Sequence, residues 1–301
     1  MQKLVGFLRL MRLANVITAV SDIMAGIAIA GYFNTMDGHI NSFQPAALLI
    51  IATVGLYGGG VVFNDVFDAE LDKVERPERP IPSGLISKGA AAFFASLLII
   101  MGIAAAAMIH PEGLFSVSGL IAVAIAVAAI VYDKWGKHYA VLGPLNMGLC
   151  RGLNLLLGMS ILPEVLSQYW YISLVPIVYI AAITMISRGE VHGSSRSTLY
   201  GAVALYGIVI ASILAVAFTN NNLWYVVCFL LLLALMIFPP LQKAIREPKG
   251  PLIGKAVKAG VIALIVMNAA WAAAFGTIYY ALLILLLLPV SIWLAKLFAV
   301  T

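Results

Sequence analysis

The chain has 301 residues, 63% of them hydrophobic and only 10% charged. A water-soluble domain carries about 25% charged residues, and one water-facing core cannot hide this much apolar surface. The composition therefore excludes an ordinary soluble globular protein. The net charge of +5 reads as a basic membrane-facing surface near anionic lipid headgroups, not as a nucleic-acid site.

About 20 mostly apolar residues suffice for a transmembrane helix. Ten such stretches follow in order: 14–33, 45–66, 90–109, 114–132, 139–160, 170–187, 199–218, 223–240, 256–276 and 278–298. The last two abut at Gly276-Thr277, so that region is either two spans or one long bent helix. Unbroken apolar runs argue for helices and against alternating barrel strands, because lipid offers the backbone no partners. The expected fold is an all-α, polytopic transmembrane bundle of nine to ten spans. Residues 1–301 form a single domain.

With the N-terminus inside and the spans alternating, seventeen of the eighteen Lys and Arg residues fall on the cytoplasmic side. The eighteenth, Arg151, lies within a span. The N-terminus shows no convincing cleavage site, so the first apolar run reads as a retained helix. Cys150 and Cys228 both sit in expected spans and suggest neither a disulfide nor a zinc site.

The first span contains Asp22 and the fifth contains Arg151. An ionisable group at a span centre costs at least about 2.5 kcal/mol on insertion scales, so the two are expected to pair or to face a wet cavity. Asn146, Asn154 and Asn268 read as interhelical hydrogen-bonding groups. Gly58-Gly59-Gly60 reads as close helix packing.

The second span ends in Asn64-Asp65-Val66-Phe67-Asp68-Ala69-Glu70-Leu71-Asp72. On a helix, Asn64, Asp65, Asp68 and Asp72 share an arc of about 100°. Like charges three and four residues apart repel, and the helix C-terminus disfavours anions. A hard divalent cation removes both objections, and Mg²⁺ is commonly shared between carboxylates and substrate phosphates. The bland alternative is a solvated acidic helix end. The next segment, Lys73 and then Arg76-Pro77-Glu78-Arg79-Pro80-Ile81-Pro82-Ser83-Gly84, places arginines in a proline-stiffened loop. Such a loop suits a phosphate-bearing ligand.

Taken together, Asn64-Asp65-x-x-Asp68-x-x-x-Asp72 and Arg79-Pro80-Ile81-Pro82-Ser83-Gly84 resemble the signature of the UbiA superfamily of intramembrane prenyltransferases. Arg12-Leu13-Ala14-Asn15 is similar to that family's Arg-Pro-x-Asn opening, with Leu13-Ala14 between the Arg and the Asn. Tyr132-Asp133-Lys134-Trp135-Gly136-Lys137 resembles its Tyr-rich, Lys-bearing turn. Cys150-Arg151-Gly152-Leu153-Asn154 and Ser187-Arg188-Gly189-Glu190-Val191-His192-Gly193 look like the EboC-like branch. The resemblance implies Mg²⁺, a polyprenyl diphosphate donor, and a small-molecule acceptor that is often aromatic. It also implies nine spans around a central cavity opening to the cytoplasmic side, with 278–298 as an addition.

On this resemblance, Asp65, Asp68 and Asp72 are the catalytic acids, and Asn64 and Glu190 join them around the metal. Lys73, Arg76, Arg79, Lys134, Lys137 and Arg188 neutralise the diphosphate. Asn15, Tyr132, Arg151 and His192 line the substrate site. The family's second Asp-rich motif is missing: between Glu164 and Glu247 the only carboxylate is Glu190, so a second metal would have to rely on Glu190, with Asp133 or His192 as companions. Two other functions stay open, a non-catalytic binder or transporter of a prenylated or aromatic metabolite and a hydrolase of lipid diphosphates.

Overall fold

Fourteen α-helices follow one another in the computed structural model, which describes residues 2–33, 42–139, 141–190 and 193–298. They are α1 (Gln2–Leu10), α2 (Leu13–Ile29), α3 (Phe43–Phe67), α4 (Ala69–Glu75), α5 (Lys88–Ala107), α6 (Val117–Lys134) and α7 (Leu142–Met159). After these come α8 (Pro163–Tyr169), α9 (Leu174–Ser187), α10 (Arg196–Thr219), α11 (Leu223–Arg246), α12 (Gly250–Ala274), α13 (Ile278–Leu285) and α14 (Leu287–Leu297). No strand occurs among the described residues.

Serines start four of the long helices. Ser42, Ser87, Ser116 and Ser195 each accept a hydrogen bond from a backbone N–H in the first turn of α3, α5, α6 and α10. This occupies donors that the helix itself leaves free.

Eight stretches among the described residues are long and apolar enough to cross a membrane: α3, α5, α6, α8 with α9, α10, α11, α12, and α13 with α14. The pair α1–α2, bent by 47°, makes a ninth. The expected span 139–160 falls on α7, an 18-residue helix packed between α2, α6 and α9; it carries Asn146, Arg151 and Asn154 and is not among these apolar membrane-crossing stretches. The ambiguous C-terminal region is not one bent helix. Chain direction changes at Phe275–Thr277, where Gly276 takes a left-handed φ of 81°. Beyond it, α13 and α14 lie against α2, and Ser291 Oγ donates to the Ala14 carbonyl at 3.0 Å.

Two helices form the axis of the bundle. Nearly every residue from Thr18 to Ile29 of α2 is buried, and so is Ala263–Ala274 of α12. Lipid tails are as apolar as leucine, so helices in a bilayer associate through packing and hydrogen bonds, and small residues let backbones approach. The α2–α7 contact shows this directly. A Cβ on Gly26 would come within 2.4 Å of the Leu155 carbonyl oxygen, and one on Gly158 within 2.4 Å of the Ile23 carbonyl oxygen. On α3, Gly59 likewise lies against the Ala95 carbonyl of α5, which answers part of the packing expectation for the triple glycine.

Candidate active site

A cavity of about 480 Å³ opens among α2, α3, α6, α7, α9 and α12. Its walls divide by polarity. Leu56, Ile125, Met147, Ile180, Val261 and Leu264 supply apolar surface. Arg12, Asn15, Asn64, Tyr132, Asp133 and Glu190 gather where α2, α3, α6 and α9 present their charged ends, and Tyr57 and Arg151 lie deeper.

The acidic motif sits where α3 ends. The helix breaks at Asp68, which closes α3 and begins α4, yet the backbone bonds Asp68 N to Asn64 O and Asp72 N to Asp68 O carry the i to i+4 pattern across. Each acid holds a cation. Asp65 receives Arg12 at 2.6 Å and Arg79 at 3.3 Å, and Asp72 receives the same Arg79 nitrogen at 2.7 Å. Asp68 pairs with Lys137. Asp65, Asp72 and Arg79 are all buried. Bringing three like charges together costs Coulomb energy, and these three bases offset it.

Arg79 is positioned by its own loop. Ser83 N bonds to Arg79 O, Ile86 N bonds to Pro80 O, and Gly84 adopts φ 77° to close the turn. Prolines at 77, 80 and 82 restrict the remaining freedom. Arg12 also occupies a left-handed conformation, φ 49° and ψ 60°, at the kink between α1 and α2. That backbone region is costly for a residue with a Cβ.

The other sequence-predicted residues divide into two groups. Asn64 lines the cavity and donates to Asp133 Oδ1 at 2.9 Å. Asn15, Tyr132, Arg151 and Glu190 also line it. Arg76 is exposed but acts electrostatically on Glu190. Partial burial pushes the Glu190 carboxyl above its usual range, against the pull of Arg76 and Lys258. Arg76 lies outside the cavity lining, and so do three further residues. Lys73 is exposed and pairs with Glu70, Lys134 stacks over Trp135, and Arg188 is exposed. His192 lies outside the described residues.

At the deep end, Asp22 and Arg151 do pair, at 2.7 Å. Asp22 also receives Asn268 at 2.7 Å and Asn154 at 3.2 Å. Arg151 reaches Thr18 Oγ1 at 2.7 Å and stacks over the Tyr57 ring, 4.9 Å from its centroid. Thr53 Oγ1 donates to Asn154 Oδ1 at 2.8 Å. One network thus ties α2, α3, α7 and α12 together behind the cavity, and Asn154 and Asn268 take the interhelical role expected of them.

Arg12 is the principal addition to the sequence-predicted set, and Asp133, which the sequence offers only as a companion of Glu190, gains weight. Asp133 is 4% exposed, and its Oδ2 has no hydrogen-bond partner among the described residues.

Among the described residues no three His, Cys, Asp or Glu side chains converge into a ready-made cation cage. The donor chemistry nonetheless fits Mg²⁺. The Asp side chains at 65, 68, 72 and 133 offer only oxygens, and bases already crowd onto the first three. Mg²⁺ is usually held by one or two carboxylates with substrate phosphates and waters completing the shell.

These features define a multi-pass helical membrane protein whose intramembrane cavity has a charged mouth and an apolar body. The model of the UbiA prenyltransferase family matches residues 24–251, and the chain belongs to that family of intramembrane prenyltransferases. It is 26% identical over 290 residues to digeranylgeranylglyceryl phosphate synthase of Methanothermobacter thermautotrophicus, covering 90% of this chain and 96% of that one. Two solved structures share the fold. An apo UbiA homolog from Aeropyrum pernix K1 has a TM-score of 0.67 at 17% identity, covering 85% of this chain and 96% of that chain. A UbiA homolog from Archaeoglobus fulgidus bound to GPP and Mg²⁺ has a TM-score of 0.52 at 14% identity, covering 93% and 99%.

Proposed function

We propose that the protein transfers an isoprenoid group from a polyprenyl diphosphate to a small acceptor within the membrane, with Mg²⁺ as its cofactor. The observation that carries this reading is the pairing of acids with bases at the mouth of an apolar cavity: Asp65 with Arg12 and Arg79, Asp72 with Arg79, and Asp68 with Lys137. A diphosphate brings its own negative charge, so the three bases can turn from carboxylate to phosphate while a divalent cation takes up the acids. The Archaeoglobus homolog bound to GPP and Mg²⁺ supports the pairing of ligand and metal.

Chemistry then follows from charge. Mg²⁺, when bound, supplies positive charge to departing pyrophosphate. Arg12, Arg79 and Lys137 stabilise the same developing anion from fixed positions, and Arg76 adds charge at the rim. The allylic carbon becomes cationic beside the faces of Tyr57 and Tyr132, which attract positive charge. Walls such as Leu56, Ile180 and Leu264 keep water from that carbon. The acceptor takes the polar deep end beside Arg151 and Tyr57. Basic loops face the cytoplasm, as the Lys and Arg distribution indicates.

The test incubates purified protein with Mg²⁺, allylic diphosphates of several lengths and a panel of acceptors, and measures pyrophosphate and prenylated product. Turnover abolished by Asp68→Asn supports transfer. Mg²⁺-dependent binding without turnover for any pair replaces this reading with that of a binder or transporter, which the isolation of Glu190 at the rim favours.

A further inference from the structure

We infer that Asp133, at the end of α6, is a ligand of the divalent cation and takes the place that the sequence assigns to Glu190. The inference rests on the proposed metal–diphosphate reading of the same cavity.

Three observations carry it. First, Asp133 is buried and lines the cavity, its Oδ1 held by the Asn64 amide at 2.9 Å while Oδ2 has no partner among the described residues. A buried carboxylate oxygen without a donor is strongly disfavoured, and in a native protein it calls for a specific explanation. A cation supplies one. Second, Asp133 lies opposite the α3 acids. Asp68 and Lys137 both act on it electrostatically, and Lys137 already places a positive charge on Asp68. Two carboxylates from different helices, completed by diphosphate oxygens and water, are the usual protein contribution to bound Mg²⁺. Third, Glu190 is poorly placed for the role. It is largely exposed at the rim, it is the sole acid between Glu164 and Glu247, and Arg76 and Lys258 already act on it electrostatically.

The division of labour follows. Acids at 65 and 72 are bridged by Arg79, whereas Asp68 is held by Lys137, a flexible point charge that a divalent ion can displace and that acts on Asp133 without contacting it. Asn64 holds Asp133 in orientation, and Glu190 serves the rim.

The experiment measures Mn²⁺ binding, by the EPR signal of the free ion, to purified protein with inorganic pyrophosphate and no acceptor. Asp133→Asn retains the oxygen that accepts from Asn64. It is expected to weaken Mn²⁺ binding tenfold or more, while Glu190→Gln stays within twofold of the unaltered protein. Unchanged binding in Asp133→Asn, or an equal loss in Glu190→Gln, overturns the inference. Absence of Mn²⁺–pyrophosphate binding in the unaltered protein instead overturns the metal–diphosphate reading beneath it. Melting curves without Mn²⁺ check that the variants fold. Should Asp133→Asn melt early, Asp133→Cys decides, because a thiolate prefers a softer ion. Cd²⁺ bound more tightly than by the unaltered protein supports the assignment, and no gain in Cd²⁺ affinity overturns it.

Discussion

Arg12 and Asp65 stand 53 residues apart in sequence and 2.6 Å apart in space. The contact locks the kink between α1 and α2 onto the acidic end of α3. It also holds Arg12 in a left-handed backbone conformation, φ 49°, that glycine would adopt without strain. Arg12→Ala and Arg12→Gly both remove the guanidinium, so both should raise the donor KM. They should differ in stability. Glycine relieves the strain at φ 49°, and Arg12→Gly is expected to unfold later than Arg12→Ala by about 1 kcal/mol. Thermal unfolding in detergent and donor-dependent steady-state kinetics on the two variants check the pair of expectations. Equal stability would remove strain at Arg12 from the account.

One Arg79 nitrogen bridges Asp65 and Asp72, and the turn over 79–86 holds the residue there. A lysine side chain ends one bond short of that terminal nitrogen, in a point charge on a flexible stem, and so does not reach both carboxylates from the same backbone position. Arg79→Lys therefore keeps the charge but loses at least one charge-assisted hydrogen bond, worth about 1.5–3 kcal/mol. The donor should bind about tenfold more weakly or worse, with the secondary structure intact. Donor binding by isothermal calorimetry, set beside a circular dichroism spectrum, separates that loss from unfolding.

The bundle was legible because lipid imposes one strong rule on composition, and each apolar run of span length became a helix. The lone charges Asp22 and Arg151 announced their pairing because neither could stand alone in a span. The acidic motif was legible in kind but not in geometry. Helical spacing put Asn64, Asp65, Asp68 and Asp72 on one arc, whereas the break at Asp68 and the separate pairings depend on Arg12, Arg79 and Lys137, which arrive from three other segments. Charge alone could not sort the bases either. Lys73 and Lys134 have the composition of phosphate ligands, but local partners hold them, Glu70 three residues away and the neighbouring Trp135. Asp133 carries one acid in a Lys-bearing turn, and only burial singles it out.

Behind the cavity, Arg151 and Asp22 are 5% and 1% exposed. Removing one member of a buried pair leaves the other charge uncompensated, at a cost of about 3–5 kcal/mol. Arg151→Leu and Asp22→Leu should each lower stability by that order, and the Arg151→Leu/Asp22→Leu double variant should recover part of the loss. The reversed pair, Asp22→Arg with Arg151→Asp, tests orientation. Asn154 and Asn268 point amide donors at position 22 and would oppose a cation there. The reversal should therefore rescue less than the double leucine variant does. Chemical denaturation of all four variants gives the ordering, and full rescue by reversal would show that pairing alone matters.

Gly26 and Gly158 bring α2 and α7 into backbone contact, where an added Cβ would meet carbonyl oxygens at 2.4 Å on either side. Neither helix can yield locally, since α2 is also packed on α3, α12 and α14. Gly26→Ala must therefore push α7 outward, moving Arg151 away from Asp22 and opening the cavity wall. Overpacking of this kind costs about 1–3 kcal/mol. Gly207 in α10 provides the control, for an added Cβ there meets nothing within 4 Å. In a helix interior alanine is favoured over glycine by about 0.5–1 kcal/mol, so Gly207→Ala should be neutral or stabilising. Comparing unfolding midpoints isolates close approach from helix propensity, and a Gly26→Ala variant as stable as Gly207→Ala would show that the α2–α7 contact relaxes without cost.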